Sequence, residues 1–202
     1  MILIKNLFYK DILSNINIQI EKGITYIKGE NGSGKSTFLD CLANLNTNYT
    51  GEIITNESII YLNQNLYFSS RLKCKDFIKF VLLLDNITNY KETFLAHVSL
   101  FCSNELFEKI WNTPIGMISG GERTKLFFSV FTCLERDCYI LDEPFSGVDS
   151  SGKAFMINII KNLEKKGKSI IITTHETNPL YELEHIKILE IKNGYITSIN
   201  SI

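Results

Sequence analysis

The sequence predicts an α/β fold built around a mostly parallel sheet. Short strands alternate with helical segments along the chain, which is the order typical of parallel sheets. The segments CYIL and SIIITT, which begin at Cys138 and Ser169, are apolar, as expected for strands that helices cover on both faces. A mostly helical stretch over residues 66–118 interrupts this order. It is predicted to be an inserted helical subdomain.

The first elements are predicted to be strands. NINIQI (15–20) alternates polar and apolar residues, as a half-buried strand does, and ITYIK (24–28) follows a glycine turn. STFLDCLANL, from Ser36, has helical spacing, and EIIT and SIIYLNQ are again typical of strands.

Later elements are mostly helical. CKDFIKFVLLLDNI and ETFLAHVSLF are the clearest helical pieces of the inserted stretch, and a further helix begins at SGGE. After the strand CYIL, a helix is predicted over about 151–165, with Gly167 near the position where glycine ends helices. The strand SIIITT follows it, and short strands complete the chain.

Composition limits the classes of partner. The net charge of -1 argues against a large nucleic-acid interface, which usually shows as a basic excess. The most apolar segment, FIKFVLLL, is far shorter than the ~20 residues of a membrane-spanning helix, and the N-terminus lacks a signal-peptide pattern. Five cysteines without a CxxC pair indicate free thiols in a reducing cytosol. We therefore expect a cytoplasmic chain that would act at a membrane only through a partner.

The segment GENGSGKST, residues 29–37, is the clearest motif. It fits G-x-x-x-x-G-K-[ST] and stands between a predicted strand and a predicted helix, where a phosphate-binding loop belongs. Its glycines let backbone N–H groups curl around phosphate oxygens. Lys35 would reach the β- and γ-phosphates, and the Ser36 hydroxyl would hold Mg²⁺. The motif indicates a nucleoside triphosphate rather than a plain glycine turn.

Two acids follow the buried strand in CYILDEP. An acid at the carboxyl end of a parallel strand lies at the ligand-binding edge of such a sheet. Asp142 suits Mg²⁺, directly or through water. Glu143 would position or deprotonate an attacking water. Alone, the pair could be a solvated acidic turn, but the phosphate loop favours the functional interpretation.

Two further polar residues follow predicted strands. His175 stands just past IIITT and could hydrogen-bond a γ-phosphate, although a lone histidine is more often structural or exposed. Gln64 ends the strand in YLNQ at the entrance to the helical stretch. Its neutral amide could ligate Mg²⁺ or orient water, whereas judged alone it would be a surface residue.

The stretch SGGERTK, residues 119–125, is a second candidate anion site. Small residues directly before a helix leave backbone N–H groups free at its N-terminus, where the helix dipole favours negative charge.

Taken together, these motifs resemble the ATPase cassette of the ATP-binding cassette (ABC) superfamily over nearly the whole chain. Residues 29–37 are similar to the Walker A loop, 140–143 to Walker B, 119–122 to the signature motif and 146–149 to the D-loop. Gln64 resembles the Q-loop glutamine and His175 the switch histidine.

The resemblance implies a P-loop NTPase parallel-sheet core with an N-terminal antiparallel β subdomain and an inserted α-helical subdomain. The whole chain, 1–202, would be one ABC ATPase domain, with 1–65 and 119–202 as ATP-binding core and 66–118 as helical subdomain. Tyr9, with Phe8 in reserve, would stack on adenine.

The resemblance also implies a set of site residues. The nucleotide would be bound by Gly29, Asn31, Gly32, Ser33, Gly34, Lys35, Ser36 and Thr37, and across a dimer by Ser119, Gly120, Gly121, Glu122 and Asp149. The catalytic residues would be Glu143, His175, Lys35 and Gln64, and the metal ligands Ser36, Gln64 and Asp142.

The implied function is that of the ATP-binding and ATP-hydrolysing subunit of an ABC transporter, with ATP and Mg²⁺ as cofactors. A second cassette, in a head-to-tail homodimer, would complete each site, and a separate membrane subunit would hold the chain on the cytoplasmic face. The short length is similar to that of small stand-alone prokaryotic transporter cassettes. The alternative is a cassette that transmits force through a membrane protein without moving a substrate.

One residue departs from the family pattern. The usual residue after the two signature glycines is glutamine, whereas this chain has Glu122. An acid in the first helical turn suits the helix dipole but brings negative charge near a bound nucleotide. Glu122 would either accept a hydrogen bond from a ribose hydroxyl across the interface or cap its own helix.

Overall fold

The computed structural model of the protein describes the backbone of residues 1–201 and the side chains of residues 1–196. The chain divides into two compact units. The core unit comprises Met1–Gln64, Arg136–Pro144 and the chain from Lys161 onward. The helical unit comprises Asn65–Glu135 and Phe145–Ile160.

An antiparallel sheet of three strands forms the N-terminal part of the core unit. Its strands are β1 (Ile2–Tyr9), β2 (Leu13–Ile20) and β4 (Thr50–Ile54), in the order β2-β1-β4. β1 pairs antiparallel with both neighbours, and its buried side chains come from alternate positions at the start of the strand. The predicted antiparallel β subdomain is therefore confirmed.

A second sheet of six strands forms the centre of the core unit, in the order β5-β6-β7-β3-β8-β9. All its neighbouring pairs are parallel except β8 with β9. Every residue of β6 and β7 is buried, which confirms the prediction made from their apolar sequences. The strands are β3 (Gly23–Lys28), β5 (Ile59–Leu62), β6 (Cys138–Asp142), β7 (Ser169–Thr173), β8 (Lys187–Lys192) and β9 (Tyr195–Ser201).

The register of this sheet aligns three strand ends. Asp142 of β6 is paired with Thr173 of β7, and Thr173 is also level with Ile27 of β3. Because parallel strands run in one direction, the segments that follow β3, β6 and β7 all leave the sheet at the same edge. Helix α1 (Lys35–Leu42) follows β3 and buries Phe38 and Leu39.

The helical unit contains α2 (Cys74–Leu84), α3 (Tyr90–Ser99), α4 (Glu105–Ile110), α5 (Gly120–Cys133) and the first part of α6 (Ser150–Lys165). A short 3₁₀ turn, Ile115–Met117, precedes α5. Helix α5 contacts both α2 and α3. The aromatic rings of Phe68, Phe77 and Phe127 also pack together, with centroids 4.6–5.5 Å apart. The helical unit extends beyond the stretch 66–118 predicted from sequence, since it also includes α5 and Phe145–Ile160.

Helix α2 carries the most apolar segment of the sequence, and Phe77, Ile78, Val81 and Leu82 are buried in the helical unit. Over the part of the chain that the structure describes, none of the helices combines the length and the apolar character needed to cross a membrane.

The buried strand β7 supports a first prediction. We expect Ile171→Ala to lower the free energy of unfolding by about 2–5 kcal/mol, because Ile171 is 0% exposed and the lost atoms leave a cavity. Ile54→Ala is the matched control, since Ile54 is 48% exposed and should cost far less. Urea denaturation followed by circular dichroism measures both. Equal midpoints for the two variants would contradict the assignment of β7 to the core.

Candidate nucleotide-binding and hydrolysis site

The loop of residues 29–34 connects β3 to α1 in a conformation that requires glycine. Gly34, immediately before α1, has φ +104°, and a Cβ there would lie 2.9 Å from Leu13 Cδ2. The Lys35 ammonium folds back over the loop and donates to the carbonyl oxygens of Gly29 at 2.7 Å and Glu30 at 3.0 Å. The predicted lysine therefore lies at the mouth of the loop, held by neutral acceptors.

The other predicted loop residues differ in accessibility. Asn31, Gly32 and Ser36 are exposed, and Thr37 is half-buried. Ser33 is buried, and its Oγ makes no hydrogen bond to any described residue. An open cavity is lined by this loop, by the end of β8 and by the first residue after β8. Its lining residues are Gly29, Glu30, Asn31, Gly32, Ser33, Glu190, Ile191, Lys192 and Asn193.

Asp142 ends β6 as a buried carboxylate with neutral donors around it. The Tyr61 hydroxyl donates to Oδ2 at 3.3 Å, and the Thr173 hydroxyl donates to Oδ1. The Asn63 amide donates to the Tyr61 oxygen at 2.9 Å. Burial, reinforced by the negative charge of Asp142, raises the pKa of Tyr61. Tyr61 therefore keeps its proton and serves as a donor to Asp142.

Sequence analysis had missed Tyr61 and Thr173. Thr173 could have been found, because a threonine at the carboxyl end of one parallel strand can reach an acid at the end of its neighbour. Tyr61 carries no such signal, since its contact depends on the pairing of β5 with β6.

Glu143 follows Asp142 with an unusual backbone. Its φ is +53°, a left-handed conformation that costs a non-glycine residue about 1–3 kcal/mol. Its N–H donates to the Thr173 carbonyl oxygen at 3.0 Å. The same turn directs its carboxylate toward the end of β7.

The structure brings Glu143 and His175 together. The backbone N–H of His175 donates to Glu143 Oε2 at 3.0 Å, and the ring atom Nε2 of His175 lies 3.4 Å from Glu143 Oε1. That second distance is longer than a good hydrogen bond. Oε1 is buried and has no hydrogen-bond partner among the described residues. One carboxylate oxygen is therefore fixed, while the other retains its capacity as an acceptor.

Gln64 lies two residues beyond β5, with an exposed side chain. Because β5 pairs with β6 up to Leu62 and Leu141, Gln64 leaves the sheet beside the strand that ends in Asp142. Within the core unit, this places Gln64 at the same edge as Asp142 and Glu143.

Ser119 and Glu122 form the N-terminal cap of α5. The Ser119 Oγ accepts from the Glu122 N–H at 3.2 Å, and the Glu122 carboxylate accepts from the Ser119 N–H at 2.8 Å. This reciprocal pair is a capping box. These hydrogen bonds lower the pKa of Glu122, with the Ser119 backbone the largest cause. Of the two alternatives, the structure displays the helix cap; the ribose contact stays a prediction.

Gly120 and Gly121 begin α5, within the helical unit. A Cβ on Gly120 would meet no atom within 4 Å among the described residues.

Asp149, immediately before α6, has its carboxylate fully engaged inside the helical unit. Oδ1 accepts from Lys125 Nζ at 2.7 Å and from the Gly152 N–H at 3.0 Å, while Oδ2 accepts from the Ser151 hydroxyl at 3.0 Å. These contacts, the Lys125 hydrogen bond foremost, lower the pKa of Asp149 to about 2. Its carboxylate is thus a helix cap and an ion-pair partner in the isolated chain.

The predicted adenine-stacking residue needs a correction. Tyr9 is 8% exposed and belongs to the hydrophobic core, so its ring has little surface to offer a base. Phe8, the reserve choice, is 43% exposed. The cause is a register irregularity in β1 around Asn6, which has φ +48° and shifts the buried face from even to odd positions. Burial therefore favours Phe8 over Tyr9.

Comparison with known proteins decides the family. The family model described as ABC transporter matches residues 13–146. The chain belongs to the ABC transporter family. The match runs from β2 through the P-loop, the capping-box helix and the Asp142–Glu143 pair, so it covers most of the cassette motifs.

Individual relatives agree with this assignment. The cassette is 32% identical to an ABC transporter ATP-binding protein of Methanocaldococcus jannaschii, over 92% of this chain and 70% of the relative. It is 33% identical to a zinc import ATP-binding protein of Wolbachia pipientis, over 84% of this chain and 69% of the relative. These relatives support an ATP-binding transporter subunit rather than the force-transmitting alternative.

Solved structures confirm the fold. A dimeric ATP-binding cassette in a post-hydrolysis state, bound to ADP and Pi, superposes with a TM-score of 0.83 at 21% identity. The match covers 100% of this chain and 98% of that structure. The cassette therefore has the α/β fold with parallel core, antiparallel sheet and inserted helices that the sequence predicted.

The capping box generates a second prediction. Glu122→Ala should destabilise the protein by about 1 kcal/mol at pH 7, because the Ser119 N–H loses its acceptor. Glu122→Gln, which keeps an acceptor oxygen, is the matched control and should cost less. Urea denaturation followed by circular dichroism measures both, and equal costs would argue against the cap.

The capping contribution should also depend on pH. Because the folded pKa of Glu122 is lowered below 4.5, its contribution is fully present above that pH. It should be lost as pH falls through the lowered folded pKa. Glu122→Gln does not titrate, so the stability difference between wild type and this variant should shrink on acidification.

Proposed function

We propose that this chain binds MgATP in its core unit and hydrolyses it as the ATP-binding subunit of an ABC transporter. The observation that carries the proposal is the row of groups at one sheet edge: the loop after β3, Asp142 and Glu143 after β6, and His175 after β7. A phosphate loop, a metal-binding acid and a candidate base thus occupy the edge where α/β sheets bind ligands.

The loop of residues 29–34 and Lys35 would bind the phosphates. The Lys35 ammonium already lies over the loop, where its hydrogen-bond partners among the described residues are the carbonyl oxygens of Gly29 and Glu30. Phosphate oxygens carry negative charge, so they add a Coulomb attraction to the ammonium that neutral peptide carbonyls lack. Lys35 would therefore exchange these contacts for the β- and γ-phosphates. In the same proposal, Phe8 rather than Tyr9 would stack on the adenine.

The residues present fit Mg²⁺. Its preferred ligands are oxygens, and it is usually bound by one or two carboxylates together with substrate phosphates. The buried Asp142 carboxylate, which accepts hydrogen bonds from the neutral hydroxyls of Tyr61 and Thr173, could supply one such ligand. We assign Asp142, Ser36 and Gln64 to Mg²⁺. When bound, the ion would neutralise negative charge on the phosphates during their hydrolysis.

Glu143 would act on the attacking water. A general base must lie within hydrogen-bond reach of the proton that it takes, and Glu143 Oε1 is a buried acceptor without a hydrogen-bond partner among the described residues. Oε2 is anchored by the His175 N–H. The proton would go from water to Oε1, while the His175 ring, beside it, would hydrogen-bond the γ-phosphate.

A second copy of the chain would complete each site. Ser119, Gly120 and Gly121 begin a helix whose N-terminus suits an anion, and they belong to the helical unit rather than to the unit with the phosphate loop. We propose that they contact the γ-phosphate held by the partner cassette in a head-to-tail homodimer. A solved cassette of the same fold is dimeric, which supports a second cassette as the partner. A separate membrane subunit would hold the dimer on the cytoplasmic face.

Lys35→Ala tests nucleotide binding. We expect MgATP affinity to fall at least a hundredfold, because the only side-chain cation assigned to the β- and γ-phosphates is removed. Isothermal titration calorimetry measures the affinity, and Lys5→Ala, on the exposed face of β1, is the charge-matched control. Unchanged affinity in Lys35→Ala would contradict the phosphate-loop assignment.

Glu143→Gln tests both hydrolysis and assembly. The amide keeps the size of the side chain but removes the base, so ATP turnover should fall at least a hundredfold while ATP binding persists. The uncleaved nucleotide should then hold two chains together, seen by size exclusion with light scattering. Glu184→Gln is the exposed matched control. A Glu143→Gln protein that stays monomeric with saturating ATP would overturn the composite site.

A further inference from the structure

Lys125 links the signature helix to the segment before α6. It lies about one turn after Gly121 on α5, and its ammonium is 2.7 Å from Asp149 Oδ1. Asp149 ends the D-loop segment, residues 146–149, and also caps α6 through the Gly152 N–H and the Ser151 hydroxyl. One carboxylate therefore joins three parts of the helical unit: α5, the D-loop segment and the first turn of α6.

The backbone is shaped to let Lys125 reach this position. A Cβ on Gly152 would lie 2.0 Å from Lys125 Cε and 2.5 Å from Val148 Cγ1, so only glycine leaves room for the lysine stem. The Lys125 side chain is 15% exposed, which means that its stem lies against the first turn of α6. At the start of α5, a Cβ on Gly121 would lie 3.1 Å from the Gly147 carbonyl oxygen. The signature motif and the D-loop segment are thus neighbours at backbone distance.

The contact adds little to the stability of the fold. Asp149 is 65% exposed, and ion pairs with an exposed partner contribute little to the free energy of unfolding. Its three donors nevertheless define one orientation of the carboxylate. The main effect of the hydrogen bonds to Asp149 is therefore to hold α5, the D-loop segment and the first turn of α6 in one relative arrangement.

We propose that Lys125 is a positioning residue that fixes the D-loop segment against the signature motif, so that both meet the second cassette as one preformed surface. This inference rests on the proposed function, because it concerns the surface that would face the partner's ATP. Preformed surfaces bind more tightly because less ordering is required on association.

The test uses the full chain in a Glu143→Gln background, where ATP-dependent dimers accumulate. Lys125→Met keeps the length of the stem and removes the charge. We expect the dimer dissociation constant to rise about tenfold, while ATP affinity of the monomer, measured by calorimetry, changes less than twofold. Lys125→Arg should restore dimerisation to within about threefold of the parent. Lys75→Met, on α2 of the same unit, is the control and should leave dimerisation unchanged.

A second variant reaches the same contact without changing charge. Gly152→Ala should push the Lys125 stem away from Asp149, because its new methyl group occupies the position of Lys125 Cε. We expect a similar loss of dimerisation with ATP affinity unchanged. Circular dichroism and calorimetric ATP binding establish that both variants are folded.

Hydrogen exchange separates this inference from the proposed function. Amides of residues 146–152 should exchange at least threefold faster in monomeric Lys125→Met than in the parent, with or without dimerisation. If Glu143→Gln never dimerises, the proposed function fails, and exchange alone decides whether Lys125 orders the segment. The proposal is overturned if Glu143→Gln dimerises and the added Lys125→Met change leaves its dimerisation unaltered. It is also overturned if the exchange rate of residues 146–152 is unchanged by Lys125→Met.

Discussion

The parallel pairing of β6 with β7 is the interaction on which the candidate site depends. It places Asp142 opposite Thr173, so that the threonine hydroxyl can donate to the carboxylate and the threonine carbonyl can accept from the Glu143 N–H. His175 then leaves β7 at the height where Glu143 leaves β6. A shift of one residue would turn Asp142 to the other face of the sheet. The buried isoleucines of β7, which hold this register, therefore determine the chemistry at its end.

The division of the chain into two units has a functional counterpart. The phosphate loop, Asp142, Glu143 and His175 belong to the core unit, whereas the signature motif and Asp149 belong to the helical unit. In the proposed mechanism the helical unit acts on nucleotide held by another chain. Its motifs therefore need accurate placement relative to one another, and the contacts of Lys125, Asp149 and Gly152 lie within that single unit.

The sequence predicted the features that depend on neighbouring residues in the chain. It did not predict contacts between distant residues, which depend on how the strands and helices pair in the fold. The phosphate loop follows from fixed spacing, and the apolar strands β6 and β7 follow from composition. Tyr61 and Lys125 were missed because their partners are far along the chain and are brought near only by folding. The choice of Tyr9 over Phe8 came from the family resemblance, and the irregularity near Asn6, which leaves Phe8 rather than Tyr9 exposed, has no signal in the sequence. The family, and the roles of residues that would act at a partner's nucleotide, were predicted from the resemblance to ABC cassettes. The interactions within a single chain do not indicate them.

The carboxylates at the sheet edge explain why this site would favour a cation. Asp142 is buried and receives hydrogen bonds only from neutral hydroxyls among its described partners. Burial raises the pKa of nearby Asp40, and the charge of Asp142 raises it further. Lys35, the loop lysine, donates its hydrogen bonds to the carbonyl oxygens of Gly29 and Glu30 instead. A divalent cation at Asp142 would relieve the repulsion between these two acids, so binding of metal with nucleotide to the folded chain would stabilise the fold.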